Sequence, residues 1–230
     1  MSGVECIVLC GGESKRMKPY VPFNKALVEL NLGQTLLEYQ VDWLGDHGVD
    51  HIILAIDHQT YDRLRKDRLQ LLGKVDYSIE RERLGTGGAV VKAKELLESS
   101  SFYLMNVDDI ILSDRYAPEE LLNVVECHEG SMGSVLLGRT RLPFGIVETS
   151  SSRVVGFDQK PMLDYQVCSG HYAFTCEGVE TYFPVKGNFE DAALPKMARD
   201  GRLYRLELDG EWITINNFKQ LETAKMILNR

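Results

Sequence analysis

The chain has 230 residues, 44% of them apolar and 26% charged, with a formal net charge of −8 at pH 7. That length can bury a sizeable core within one domain, and the acidic balance excludes sequence-independent binding to a nucleic-acid backbone, which needs a lysine and arginine surplus. No apolar run approaches the roughly 20 residues that cross a bilayer, and five cysteines without CxxC spacing read as reduced thiols of a cytoplasmic protein rather than as a metal site.

The first residues, MSGVECIVLCGG, are apolar but short, carry no basic leader and run into a glycine turn. They predict a strand over residues 5–10 rather than a signal peptide. Thr35 caps a predicted helix over 36–46 that Gly48 stops. A second buried strand follows at 51–56, and a charged helix at 61–72 is spaced by Leu64, Leu69 and Leu72. Residues 75–79 read as a third strand, ERERLGTGG as a loop, 89–97 as a helix and 102–106 as a fourth buried strand. Alternating apolar strands and amphipathic helices imply βαβ units, hence a mostly parallel sheet with helices on both faces. From about residue 133 short β-rich stretches (SVLLG, FGIVE, VVGFDQ, SGHYAF) succeed one another, and helical spacing returns at 190–199 and 217–228. No linker or repeat divides the chain. Residues 1–230 are therefore expected as one domain, whose second half forms an antiparallel pocket wall.

Ligands of open α/β sheets bind beyond the carboxyl ends of the strands. There the sequence places LCGGESKRMKPYVPFNKALVEL, residues 9–30. Gly11 and Gly12 let backbone N–H groups approach a polyphosphate, and Lys15, Arg16, Lys18 and Lys25 add cationic donors. By themselves these residues fit an ordinary βα turn equally well, and neither a P-loop nor GxGxxG is present. Asp108, directly after the fourth strand, suits a single hard carboxylate ligand for Mg²⁺, with Asp109 as an alternative. Lys160, held extended before Pro161, would project from a strand end. Thr86 can cap the following helix, and Gly85 and Gly87 let backbone approach a planar base. His171 fits a structural, hydrogen-bonded histidine better than a catalyst.

The order of these residues resembles the sugar-1-phosphate nucleotidyltransferases. GGxxxRM followed by a proline-containing loop and NKALVEL resembles that family's phosphate loop. LGTGGA (84–89) resembles its LGTxxA turn, NVD (106–108) its NGD, FGIVE (144–148) its YGVVE, QKP (159–161) its EKP and SGHYAF its GxYxF strand. FEDAALPKM and WITINNFKQL resemble the family's LExDxLPxL helix and WxDIGTPxxL segment. The resemblance covers about residues 4–225. It implies a Rossmann-like, GT-A-like three-layer α/β fold with a mixed sheet, nucleotide-binding over about 1–130 and sugar-binding over about 131–230, without a β-helix domain. The implied reaction joins an NTP to a sugar 1-phosphate and releases pyrophosphate, with Mg²⁺ as cofactor. Arg16, Lys25, Asp108 and Lys160 would be catalytic. Leu9, Gly11, Gly12, Gly85, Thr86 and Gly87 would hold the nucleotide, and Gly145, Glu148, Gln159 and Lys160 the sugar phosphate. LGTGGA is nearest the turn of guanylyltransferases acting on mannose or heptose 1-phosphate, which favours GTP. Thymidylyl- or uridylyl transfer and a degenerate nucleotide-sugar-binding subunit are the alternatives, and homo-oligomer formation stays open.

Four departures stand out. Ser14 replaces a glycine, and Asn24 replaces the proline before Lys25, which is expected to loosen the loop. Gln159 replaces the glutamate of EKP. Thr214 replaces the second metal-binding aspartate, so Asp108 would hold the ion alone unless Asp109 or Asp209 helps.

Overall fold

Strand β1 (Val4–Leu9) runs through the middle of the molecule because both its faces are apolar: Cys6 and Val8 pack to one side, Ile7 and Leu9 to the other. Such two-faced strands need cover on both sides. The computed structural model describes residues 3–229 except 13, 18, 19, 69, 70 and 72, so Lys18, Leu69 and Leu72 lie outside the described residues. After β1 come β2 (Glu29–Asn31), β3 (Gln34–Thr35), α1 (Leu36–Asp46), β4 (Val49–Asp57), α2 (His58–Asp67) and β5 (Asp76–Glu80). Then follow α3 (Gly85–Ala93), β6 (Ser101–Asn106), β7 (Asp109–Leu112), α4 (Pro118–Cys127), β8 (Gly133–Gly138), β9 (Gly145–Ser150) and β10 (Arg153–Gln159). The chain closes with β11 (Val167–Thr175), α5 (Cys176–Tyr182), α6 (Phe189–Arg199), β12 (Leu203–Glu207), β13 (Glu211–Thr214) and α7 (Phe218–Leu228).

Seven strands form one mixed sheet in the order β12-β8-β11-β6-β1-β4-β5. β6, β1, β4 and β5 are mutually parallel, whereas β11 runs antiparallel between β6 and β8. The second half is thus more than a wall, since β8, β11 and β12 extend the central sheet itself. One face is covered by α1, α2, α4 and α7 through Leu37, Leu44, Leu64, Leu121 and Leu221. The other is covered by α3, α5 and α6 through Val90, Val179, Phe189 and Met197. Each such side chain, removed from water, contributes roughly 1.5–3 kcal/mol. Three layers result, as expected.

Local signals set the element ends. Thr35 and Glu38 exchange hydrogen bonds as a capping box, so α1 begins at Leu36 as the sequence predicts. β7, α4, α5, β12 and β13 are not among the elements predicted from the sequence and are placed only by the fold.

Candidate active site

The parallel strands β1, β4, β5 and β6 end on one side of the sheet, at Leu9, Asp57, Glu80 and Asn106. Beyond those ends lies a cleft of about 700 Å³, lined by Leu9, Gly11, Gly12, Asn24, Asp57, His58, Glu80, Gly85, Thr86 and Asn188 among others. A second recess of about 340 Å³ is lined by Gly11, Gly12, Ser14, Lys15, Arg16, Lys25, Arg83 and Asn216. Gly11, Gly12 and Arg83 line both. A cleft of mixed charge, with Asp57, Glu80 and Glu82 beside Arg81 and Arg83, therefore opens next to a recess carrying four cationic side chains. That division suits a nucleoside in the first and its phosphates in the second.

The phosphate loop is more ordered than its departures suggest. Gly12 adopts φ +118°, which only glycine takes without strain. Ser14 keeps the left-handed backbone (φ +50°) and adds a hydroxyl that accepts the Lys25 N–H at 2.8 Å. Asn24 does not loosen the loop; it ties it. Its amide donates to the Cys10 carbonyl at 2.6 Å and more weakly to Asp57, while its oxygen accepts from the Ala26 N–H at 3.0 Å. Its φ of −61° is also one that proline would adopt, so the backbone course is kept while three segments are joined. Lys25 then forms an ion pair with Asp108.

The Asp108–Asp109 turn is fixed from three directions. Gln40 of α1, fully buried, donates to the carbonyls of Val107 (3.0 Å) and Asp109 (2.8 Å). His171 Nε2 meets the Asp109 carbonyl at 3.0 Å, and Ile215 N–H donates to the Asp108 carbonyl at 2.9 Å. His171 is wholly buried, with its Nδ1 2.5 Å from the Tyr103 hydroxyl, and burial lowers its pKa to about 4. It is a neutral structural residue, as expected.

Consecutive residues of the turn point apart. Asp108 faces Lys25, whereas Asp109 faces Gly170, Asn106 and Thr214. Thr214 lies directly across from Asp109 in the β7–β13 pair and hydrogen-bonds its carboxylate. Burial, then the neighbouring Asp108 charge, pushes the Asp109 pKa up to about 7. Asp209 does not help at Thr214: it is exposed, paired with Arg115 and lies ahead of β13, before the bend at Gly210. Among the described residues no cluster of three or more His, Cys, Asp or Glu is placed to hold a metal ion. Asp108 is ion-paired with Lys25, which lines the cationic recess.

The LGTGGA turn has a different physical cause from the one expected. Helix α3 starts at Gly85, and its N-cap, Leu84, makes no side-chain cap bond. Thr86 does not cap α3 but bonds Glu190 and accepts the Phe189 N–H at 3.2 Å, tying α3 to α6. Gly87 donates its N–H to the Gly187 carbonyl at 2.9 Å, and a Cβ on it would stand 2.8 Å from Pro184. Gly87 is buried against that segment and does not line the cleft, unlike Gly85 and Thr86.

β9 and β10 form a separate two-stranded ribbon carrying Gly145, Glu148 and Gln159. Neither face of the ribbon is core: Ile146, Val147, Val154 and Phe157 are all exposed, as is Glu148. Lys160 is not extended, because its φ is +53° and its carbonyl accepts from Arg141 at 3.3 Å. Neither cavity is lined by these four residues.

Several site residues were missed from sequence. Glu80 ends β5 inside the nucleoside-sized cleft, half-buried, and its pKa is raised by burial. Its position at a parallel strand's carboxyl end was the available signal. Asn216, at the start of α7, lines the recess and donates to Thr214 at 2.8 Å.

The nucleotidyl transferase family model matches residues 5–230. The mannose-1-phosphate guanyltransferase beta-A of Xenopus laevis is 30% identical over 96% of this chain, and the mannose-1-phosphate guanyltransferase of Schizosaccharomyces pombe is 25% identical over the same share. The chain spans 63% of the length of each. The crystal structure of HddC from Yersinia pseudotuberculosis superposes with a TM-score of 0.72 at 25% identity, covering 98% of this chain and 99% of that one. The HddC complex with GMP-PN superposes at 0.73.

Proposed function

Because the chain belongs to the nucleotidyl transferase family over residues 5–230, we propose that it joins GTP to a mannose- or heptose-type sugar 1-phosphate and releases pyrophosphate. The observation that carries this reading is the two-part cavity, a nucleoside-sized cleft opening beside a recess with Lys15, Arg16, Lys25 and Arg83. Guanine fits the cleft chemically. Its N1–H and N2–H donors lie side by side, and the half-buried Glu80 carboxylate can accept both. The guanyltransferase relatives and the GMP-PN complex of HddC support the same base.

In the reaction an anionic oxygen of the sugar phosphate attacks the α-phosphorus in line. The bond from that phosphorus to the β-bridging oxygen breaks, and pyrophosphate leaves with the electron pair. No side chain takes a proton. Arg16 and Lys25, in the recess, neutralise the charge moving onto the leaving pyrophosphate, the Gly11 and Gly12 amides lie where cleft and recess meet, and Leu9, Gly85 and Thr86 bound the nucleoside. Lys160 is given the sugar phosphate, and Gly145, Glu148 and Gln159 the sugar, on the resemblance of QKP and FGIVE to the family's EKP and YGVVE, since these residues line neither cavity. Asp108, the triphosphate and water suit Mg²⁺, which keeps most of its ligands from phosphate and solvent and would supply further charge neutralisation when bound. Before nucleotide arrives, Lys25 and Asp108 hold each other's charge. Sharing of one sheet by strands from both halves supports a single domain with a nucleotide side and a sugar side. Five free cysteines support a cytoplasmic setting.

Thr214 favours a second reading, a subunit that binds a nucleotide sugar without making one, since its hydroxyl is engaged by Asp109. One panel separates the two: each NTP with several sugar 1-phosphates and Mg²⁺, read as pyrophosphate release. GTP with mannose or heptose 1-phosphate should be fastest. Binding of an NDP-sugar with no release from any pair would establish the second reading, and a preference for UTP or dTTP would overturn the choice of base.

A further inference from the structure

Among the described residues, Gly11, Gly12 and Arg83 alone line both the nucleoside cleft and the cationic recess. The glycines present only backbone there, so the side chain at the junction is that of Arg83. The other cations of the recess, Lys15, Arg16 and Lys25, all come from the loop after β1. Arg83 comes from a separate segment, the turn between β5 and α3. That turn is held at its far end, where the Leu84 carbonyl accepts from Gly187 at 2.7 Å and Gly85 takes φ +76°. A triphosphate leading from cleft to recess therefore passes between the Gly11–Gly12 backbone and the Arg83 guanidinium. The phosphate at that junction is the one joined to the ribose.

From this geometry we infer that Arg83 is a catalytic residue that grips the α-phosphoryl group, an inference that rests on the proposed nucleotidyl transfer. Its planar fork spans the two non-bridging oxygens of that phosphate, which a lysine cannot do. During transfer the sugar-phosphate oxygen bonds to the α-phosphorus as the bond to the β-bridging oxygen breaks and pyrophosphate leaves. The non-bridging α-oxygens stay with the phosphorus throughout, and Arg83 holds them in line between nucleophile and leaving group while offsetting their charge against the incoming anion. Arg16 and Lys25 act further along the chain of phosphates.

Calorimetric titration with guanosine, GMP and GTP tests this division. Arg83→Ala should weaken GMP and GTP at least tenfold while leaving guanosine within about twofold. Arg16→Ala should weaken GTP but leave GMP within about twofold. Arg83→Lys should recover part of the GMP affinity but remain slow in pyrophosphate release, because one ammonium does not fix two oxygens. Arg83 is exposed, so melting of the alanine variant should match wild type. Unchanged GMP affinity in Arg83→Ala, or an equal loss for guanosine, would overturn the inference. A wild type that binds GTP but releases no pyrophosphate with any sugar phosphate would sink the proposed reaction and with it the catalytic role. The GMP comparison would still report whether Arg83 grips the α-phosphate.

Discussion

Asn24 offers the sharpest test of how the phosphate loop is built. Replacing it with alanine removes the donor that satisfies the Cys10 carbonyl at 2.6 Å and the acceptor that satisfies the Ala26 N–H at 3.0 Å. Cys10 and Ala26 are both fully buried, so water does not take the amide's place. Each buried group left unpaired costs about 1–3 kcal/mol, and with partial relaxation the two together should cost about 2–4 kcal/mol. For a chain of this size about 1 kcal/mol moves the melting midpoint by about 2–4 °C, so a drop of about 4–16 °C is expected. Asn24→Pro separates bonding from stiffness. Proline accommodates the φ of −61°, yet it restores neither hydrogen bond, and the proline variant should melt as low as the alanine one. Thermal melting of wild type and both variants reads this directly, and KM for GTP should rise in both because the adjoining Lys25 loses its anchor. A proline variant melting within about 1 °C of wild type would refute the reasoning, since φ alone would then account for the loop.

Lys25→Ala should slow turnover at subsaturating GTP at least tenfold, about 1.4 kcal/mol, by steady-state assay. It should also lower the melting point, because Asp108 loses its partner; adding Asp108→Asn should restore stability but not activity. Thr214→Asp sets a carboxylate against buried Asp109, already titrating near pH 7, so the variant should melt lower above pH 7 and recover toward pH 5; unchanged melting at pH 8 would contradict the Asp109 contact. His51 sits between Glu5 and Asp76 at 2.6 and 2.9 Å. Burial lowers its pKa, but these carboxylates outweigh burial and leave it raised. Its contribution is therefore full below its ordinary value of 6.5 and lost as pH rises through the folded value. A melting series from pH 6 to 9 should fall more steeply for wild type than for His51→Gln.

What the sequence revealed and what it concealed follow from the range of the interactions. The apolar runs of β1, β4 and β6 and the Thr35–Glu38 box of α1 are local patterns, and each appears where the pattern puts it. The glycines after β1 were legible as a turn for the same reason, but Gly-Gly after a strand fits an ordinary βα turn as well as a phosphate loop, and only the order of the residues that follow tipped the reading. Asn24 was misread because its partners are Cys10 and Asp57, brought together only by the fold. Gly87 was misread because Pro184 and Gly187, about a hundred residues away, are what exclude a side chain there. Lys160 followed the usual restriction before proline in expectation and departed from it in the structure, where the chain turns at φ +53°. Arg83 and Glu80 lay inside a charged run whose two faces cannot be told apart until the turn after β5 is placed.

The central claim is that an oxygen of the sugar phosphate attacks the α-phosphorus of GTP. Mannose 1-phosphate labelled with ¹⁸O in its phosphate, incubated with GTP, Mg²⁺ and the protein, tests it by mass spectrometry of the products. The account predicts GDP-mannose carrying all of the label and pyrophosphate carrying none. Label-free GMP or GDP, or pyrophosphate formed equally fast without the sugar phosphate, would contradict it.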